Sequence, residues 1–347
     1  MVLPETYFSA LLLTILSMVC LGSWANTQKL TKKWRFELFY FDYSFGVLMG
    51  AVIAAYTFGS MGFDGFTFSD DLLRAGKRNM AYGLAGGVVF NLANMLLVAA
   101  ISVSGMAVAF PIGIGLALVI GVIGNYAVNP QGNPGLLFSG VALVVLAIIG
   151  DALAYRSLED DRTRAAVHAG KKKPRRPSVW KGIILSLVSG VLMGTFYPLV
   201  EMGKAGETGL GPYSIGFMFA VGVFCSTFVF NLFFMSLPVQ GEPIAIPDYF
   251  KGTILHHLLG VAGGLIWYAG AISNFVAASA DPSVQVGPAI SYAIGQGATM
   301  VSALWGLLVW KEFAGGGGRT KGLIALMLVL FVAGLVLVSI APLYAPR

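Results

Sequence analysis

The chain has 347 residues, of which 57% are hydrophobic and 11% charged, and its mean hydropathy is +0.80. Soluble domains are about 25% charged, so this chain lacks the charge to cover a water-facing surface. Cys20 and Cys225 both lie in apolar runs, which excludes a disulfide framework. His168, His256 and His257 have no cysteine partners, so no zinc-type ligand set, no metal and no cofactor is expected.

A membrane helix needs about 20 mostly apolar residues. Ten such spans follow one another: about Tyr7–Ala25, Tyr40–Gly59, Ala81–Val103, Met106–Tyr126, Gly135–Tyr155, Trp180–Val200, Tyr213–Met235, Ile254–Asn274, Val284–Trp310 and Gly322–Leu343. Met1–Phe8 carries Glu5 and no Lys or Arg, so the first segment reads as a true span and not as a signal peptide. Most of the 22 Lys and Arg residues fall in loops that share one side if both termini lie outside. Basic loops stay cytoplasmic, so the expected topology is N-out and C-out in a cell (inner or plasma) membrane. The densest group, Lys171-Lys172-Lys173-Pro174-Arg175-Arg176, lies between two spans. There it is a topology signal against anionic headgroups and not a nucleic-acid patch.

The chain reads as 1–155, a first group of five spans; 156–178, a basic cytoplasmic linker; and 179–347, a second group of five. The groups are weakly alike in register. Leu84-Ala85-Gly86-Gly87-Val88-Val89-Phe90-Asn91 aligns with Val261-Ala262-Gly263-Gly264-Leu265-Ile266-Trp267-Tyr268 at an offset of 177, and Pro111 aligns with Pro288 at the same offset. An odd number of spans per repeat inserts the second copy upside down. The expected fold is therefore all-α, with ten transmembrane helices as two inverted five-helix repeats, an arrangement that transporters use. Pro111 and Pro288 are expected to kink or break their helices.

Ionisable residues inside a bilayer are functional suspects. Asp42, Asp151, Glu201, Asp281 and Glu312 all read as lying at span ends, leaving Glu201 and Asp42 as the proton-coupling candidates. The span centres hold neutral polar groups instead. The substrate-binding candidates are Asn91 and Asn94 on the third span, Thr195 and Tyr197 on the sixth, Trp267 and Tyr268 on the eighth, and Ser291, Tyr292 and Gln296 on the ninth. Amides pair donors with acceptors and aromatic rings give flat surfaces, which suits a small neutral polar solute. Interhelical hydrogen bonding is the plainer role for each residue taken singly. No Walker pattern, nucleophile elbow or HExxH occurs, so no catalytic residue is expected and the chain does not read as an enzyme.

Leu21-Gly22-Ser23-Trp24, Phe41-Asp42-Tyr43-Ser44, Ala85-Gly86-Gly87-Val88-Val89 and Trp305-Gly306-Leu307-Leu308-Val309-Trp310-Lys311-Glu312-Phe313 resemble the ureide permeases of plants and their bacterial relatives. These form a branch of the drug/metabolite transporter superfamily related to glucose/rhamnose-type sugar porters. The resemblance implies an N-out, ten-span fold and secondary active uptake, commonly proton-coupled, of ureides and nucleobases such as allantoin and uracil. Uptake of a monosaccharide is the alternative, and an intramembrane enzyme or a channel comes lower. One departure is Gly264-Leu265, which stands where the plant pattern has Gly-Asn.

Overall fold

A computed structural model describes residues 1–32, 34–61, 65–128, 133–168, 179–239, 241–281, 283–284, 286 and 297–344. The described elements are all helical: α1 Tyr7–Ser23, α2 Ala25–Leu30, α3 Phe36–Tyr56, α4 Phe68–Arg74, α5 Lys77–Ser104, α6 Met106–Val128, α7 Pro134–His168, α8 Val179–Lys204, α9 Pro212–Ser236 and α10 Ile254–Ala278. After them come α11 Gly297–Val309 and α12 Gly318–Ile340. Nine helical stretches among the described residues are long and apolar enough to cross a membrane, α1 and α2 together counting as one. Helix α11 is shorter, and the first part of the expected ninth span, with Pro288, lies outside the described residues.

Helix boundaries have local causes. Thr6 caps α1 by accepting the Ser9 N–H, and Thr67 and Asp70 form a reciprocal capping box on α4. Helix α6 runs through Pro111 without interruption. The proline sits close to the N-terminus, where few carbonyls precede it and little hydrogen bonding is lost. Helix α7 continues to His168, well past the span end read near Tyr155. A buried Leu158 and an Arg162–Glu159 ion pair of 3.3 Å support the extra turns, and Asp161 accepts from the Gly317 N–H at 2.8 Å and from Thr320 at 2.9 Å.

The chain divides into two compact units, Met1–Met95 with Thr195–Gly287, and Leu96–Gly194 with Pro288–Arg347. In the first unit two helix crossings rest on glycine. A Cβ at Gly46 or Gly264 would run into the carbonyl of Val261 or Tyr43, which locks α3 against α10. A Cβ at Gly222 or Gly87 would run into the carbonyl of Leu84 or Phe219, which locks α9 against α5. An offset of 176 or 177 residues carries each member of the first crossing onto its counterpart in the second. Glycine at such positions lets membrane helices approach to backbone contact.

In the second unit α7 lies along α12, with a Cβ at Gly140 falling 2.8 Å from the Gly334 carbonyl and the reverse also true. Val144, Ala147, Ile148, Met327 and Phe331 fill the apolar core around this pair.

Candidate functional site

Helix α3 places Tyr40 and Tyr43 three residues apart, hence on one face, and α5 does the same with Asn91 and Asn94. Helix α9 presents Ser226 and Thr227. All six side chains are buried in the first unit, and their hydrogen bonds run in one direction. The Ser226 and Thr227 hydroxyls donate to the Gly222 and Val223 carbonyls at 2.7 and 2.8 Å, so their oxygens are left to accept. They accept from the Asn91 amide nitrogen at 2.8 and 3.1 Å. That turns the Asn91 carbonyl oxygen toward Tyr40, whose hydroxyl donates to it at 2.9 Å. With its proton engaged, the Tyr40 oxygen accepts from the Asn94 amide at 3.0 Å, and Tyr43 accepts from the same amide at 3.2 Å.

Following the chain to its end, these bonds leave the Tyr43 O–H as a donor and the Asn94 Oδ1 as an acceptor. A hydroxyl beside an amide carbonyl complements an N–H and a C=O on one small planar molecule. Trp24 packs on Tyr43 at 4.9 Å between ring centroids, and Tyr40 lies at 5.0 Å from it. A second aromatic group in the same unit joins Phe90 to Trp267 at 4.5 Å and stacks Phe219 on Trp267 at 5.9 Å.

Of the residues read from the sequence, the structure joins Asn91 and Asn94 in the polar network and places Trp267 against Phe90, next to Asn91 in the chain. Tyr268 is buried on the α10 face that meets Gly50 and Gly216, and its hydroxyl has no hydrogen-bond partner among the described residues. Thr195 and Tyr197 are exposed, and Tyr197 hydrogen-bonds Glu201. Ser291, Tyr292 and Gln296 lie outside the described residues. Tyr40, Tyr43, Ser226 and Thr227 were missed. The signal was available in Tyr40-Phe41-Asp42-Tyr43-Ser44, where two tyrosines share a helical face in an otherwise apolar span.

The two carboxylates singled out from the sequence differ sharply. Glu201 is 46% exposed and pairs with Lys204 at 3.1 Å. Asp42 is buried, accepts from the Tyr249 hydroxyl, and pairs with His257 Nδ1 at 2.8 Å. Tyr249 belongs to a 3-10 turn at Ile246–Lys251. Burial, with the Asp42 carboxylate beside it, pushes its phenol well above the usual tyrosine range. Trp34 stacks on His256 at 4.8 Å and meets His257 edge-on at 5.7 Å, closing this end of the unit.

Two further carboxylates are fully buried. Asp151 lies in the middle of the lengthened α7 and is fully buried. Glu37, in the first turn of α3, is equally buried and held by Arg35 at 2.7 Å.

Long apolar helices enclosing a neutral, directional polar network define a multi-pass membrane protein. The ureide permease family model matches residues 39–176, a stretch that includes Tyr40, Tyr43, Asn91 and Asn94. The chain is 24% identical to "Ureide permease 1" of Arabidopsis thaliana, with 96% of each chain covered. It is also 24% identical to "Ureide permease 2" of the same plant, over 96% of this chain and 97% of that one. A shorter match, 29% identical over 42% of this chain, is to "Probable ureide permease A3" of Vigna unguiculata. One solved crystal structure shares the fold with a TM-score of 0.54 at 16% identity, covering 95% of this chain and 96% of the other. The relatives are named permeases, and so transporters, not enzymes.

Proposed function

We propose that this protein imports a small neutral polar solute, a ureide or nucleobase such as allantoin or uracil, by alternating access. The observation that carries the reading is the network on Tyr40, Tyr43, Asn91 and Asn94, which ends on one donor and one acceptor inside a chain similar to ureide permeases over nearly its whole length. A ureide presents N–H and C=O groups in one plane, and the Trp24 and Tyr43 rings offer it flat surfaces. Trp267, Tyr268, Thr195 and Tyr197, with Ser291, Tyr292 and Gln296, extend this site as candidates.

The two matched glycine crossings, related by 176–177 residues, support an inverted repeat built on 1–155 and 179–347 with the basic 156–178 stretch between them. Basic-loop placement supports an N-out, C-out orientation. Protons are the proposed coupling ion. Between the two carboxylates named for that role, Asp42 has surroundings that a proton would change, since neutralising it weakens its hold on both Tyr249 and His257. Glu201 is partly exposed, with Lys204 at 3.1 Å and Tyr197 as its partners.

The test is a thermal-shift panel on detergent-purified protein with ureides, nucleobases, nucleosides, hexoses and deoxyhexoses. A ligand at 100 times its Kd stabilises the folded state by about 2.7 kcal/mol, a readable shift. Stabilisation by allantoin or uracil alone supports the reading. Stabilisation by sugars alone keeps the transporter and replaces its cargo with a monosaccharide. A ligand-independent conductance in reconstituted bilayers replaces the carrier with a channel.

A further inference from the structure

Asp151 has the most unusual setting of any side chain described in the second unit. It stands in the middle of α7 at 0% exposure, and neither carboxylate oxygen has a hydrogen-bond partner among the described residues. The core of this unit is apolar, including Val108, Ile148, Ala154 and Met327. Its near charged neighbour is another carboxyl group, Glu312. An ionised carboxylate left unpaired in such surroundings is among the costliest arrangements a protein can hold.

Glu312 is anchored where Asp151 is not. Its two oxygens accept the Met106 and Ala107 N–H groups at 2.9 and 2.7 Å, across the N-terminus of α6, where the helix dipole favours an acidic group. The chain is distorted to place it there. The last turn of α11, Trp305–Val309, is π-helical, and Lys311 takes a left-handed conformation with φ of 49°. The Glu312 N–H then bonds the Gly306 carbonyl at 3.0 Å, and its carbonyl accepts from Arg162 at 2.6 Å. Irregular backbone of this kind is retained mainly at functional sites.

Among the described residues the charge that acts on Asp151 is that of Glu312, and no hydrogen-bond partner offsets it. Helix α6 carries no Asp, Glu, Lys, Arg or His. Helix α12 carries only Arg319 and Lys321, both in its first turns, where Thr320 bonds Asp161. On α7 itself, Tyr155 donates to the Val103 carbonyl at 3.3 Å, and Glu159 pairs with Arg162.

We propose that Asp151 is a proton-binding site of this transporter, protonated in the state described here and deprotonated at another point of the cycle, with Glu312 as the fixed neighbour that governs release. A carboxyl kept purely for structure is given partners, and an unpartnered one inside a membrane protein marks an ion or proton pathway. The proton is taken from water on one side and returned to water on the other, and no other bond changes. This inference rests on the transporter reading for its link to uptake, but the proton itself is readable without any substrate.

Two measurements test it. Infrared difference spectroscopy on substrate-free purified protein at neutral pH should show a protonated carboxyl band that Asp151→Asn removes. No Asp151-dependent band overturns the inference. In proteoliposomes a one-proton symport accumulates substrate up to about tenfold per pH unit, because one pH unit and a tenfold ratio are the same free energy. With allantoin or uracil as the probe, Asp151→Asn should reduce gradient-driven accumulation to equality while the thermal shift with the same ligand persists. Accumulation equal to that of the unmodified protein overturns the link to transport. Asp151→Glu keeps the carboxyl group and guards against a folding defect in the first variant: it should restore accumulation with an altered pH profile, and a failure to restore it in folded protein counts against the proposal. If the unmodified protein neither binds nor accumulates any ureide, the cargo reading fails, and the infrared band still decides the Asp151 question.

Discussion

Gly264 offers a severe test of how this membrane protein is packed. A Cβ added there would penetrate the Tyr43 carbonyl and lie 2.6 Å from the Val47 nitrogen. Carbon atoms rest at about 3.5–4.0 Å from their neighbours, so α3 and α10 must separate by roughly an ångström. The obstructing atoms are backbone, so no side chain can rotate away. Overpacking of this kind costs about 1–3 kcal/mol, and Gly264→Ala belongs at the upper end. Gly121, in α6, has open space where a Cβ would go. There the same substitution should stabilise by about 0.5–1 kcal/mol, because alanine loses less conformational freedom in a helix. The assay is equilibrium unfolding in mixed micelles of mild and denaturing detergent, with both variants measured beside the parent. Gly87→Ala should cost about as much as Gly264→Ala, since its Cβ meets Phe219 at the matching crossing. The displacement also moves the Tyr43 carbonyl on the residue that bears the free hydroxyl, so Gly264→Ala should weaken ligand binding too. A Gly264→Ala protein as stable as Gly121→Ala refutes the close-crossing argument.

Other outcomes follow from the network. Tyr43→Phe removes the free O–H and an acceptor for Asn94 while keeping the ring, so ligand affinity should fall about tenfold, the worth of about 1.4 kcal/mol, with thermal stability nearly unchanged; affinity equal to the parent's removes Tyr43 from the site. Asn91→Ala strips partners from Tyr40, Ser226 and Thr227 at once, and should destabilise by about 1–3 kcal/mol; a double-mutant cycle with Tyr40→Phe should show coupling between the pair, and additive effects would contradict the directional chain. Glu201→Gln should leave the pH profile of transport intact, because its charge is partly exposed and already paired with Lys204. A lost profile would restore Glu201 as the proton carrier. Asp42→Asn should loosen the Ile246–Lys251 turn, read as faster amide hydrogen exchange there and at Trp34, and unchanged exchange would show that Tyr249 and His257 do not hold it.

The membrane spans were legible because a single physical quantity, sustained apolarity, decides them over about 20 residues. Nine of the ten segments correspond to described helices of sufficient length. Helix α7 outruns the span end expected near Tyr155 because beyond Tyr155 its sequence becomes charged, and charge marks the end of a span and not the end of a helix. Leu158 is buried and Asp161 anchors the Gly317–Thr320 turn, contacts that only the folded chain brings together. That extension puts Asp151 at the centre of the helix, four residues before the expected span end at Tyr155.

The polar residues follow the same logic. Asn91 and Asn94 stood out because amides are rare in an apolar run, and their spacing fixed a shared face. Nothing local reveals what they point at: Tyr40 and Ser226 lie 51 and 135 residues from Asn91 along the chain. The glycines behave differently, because Gly87 and Gly264 are in register at 177 residues and each presses on a carbonyl of the helix it crosses. The weak similarity between the halves thus coincides with a pair of equivalent crossings. Asp151 and Glu312 have no such match, since the positions 177 residues away hold Leu328 and Gly135. The two carboxyl groups lie where the halves differ, so only the folded chain brings them into view.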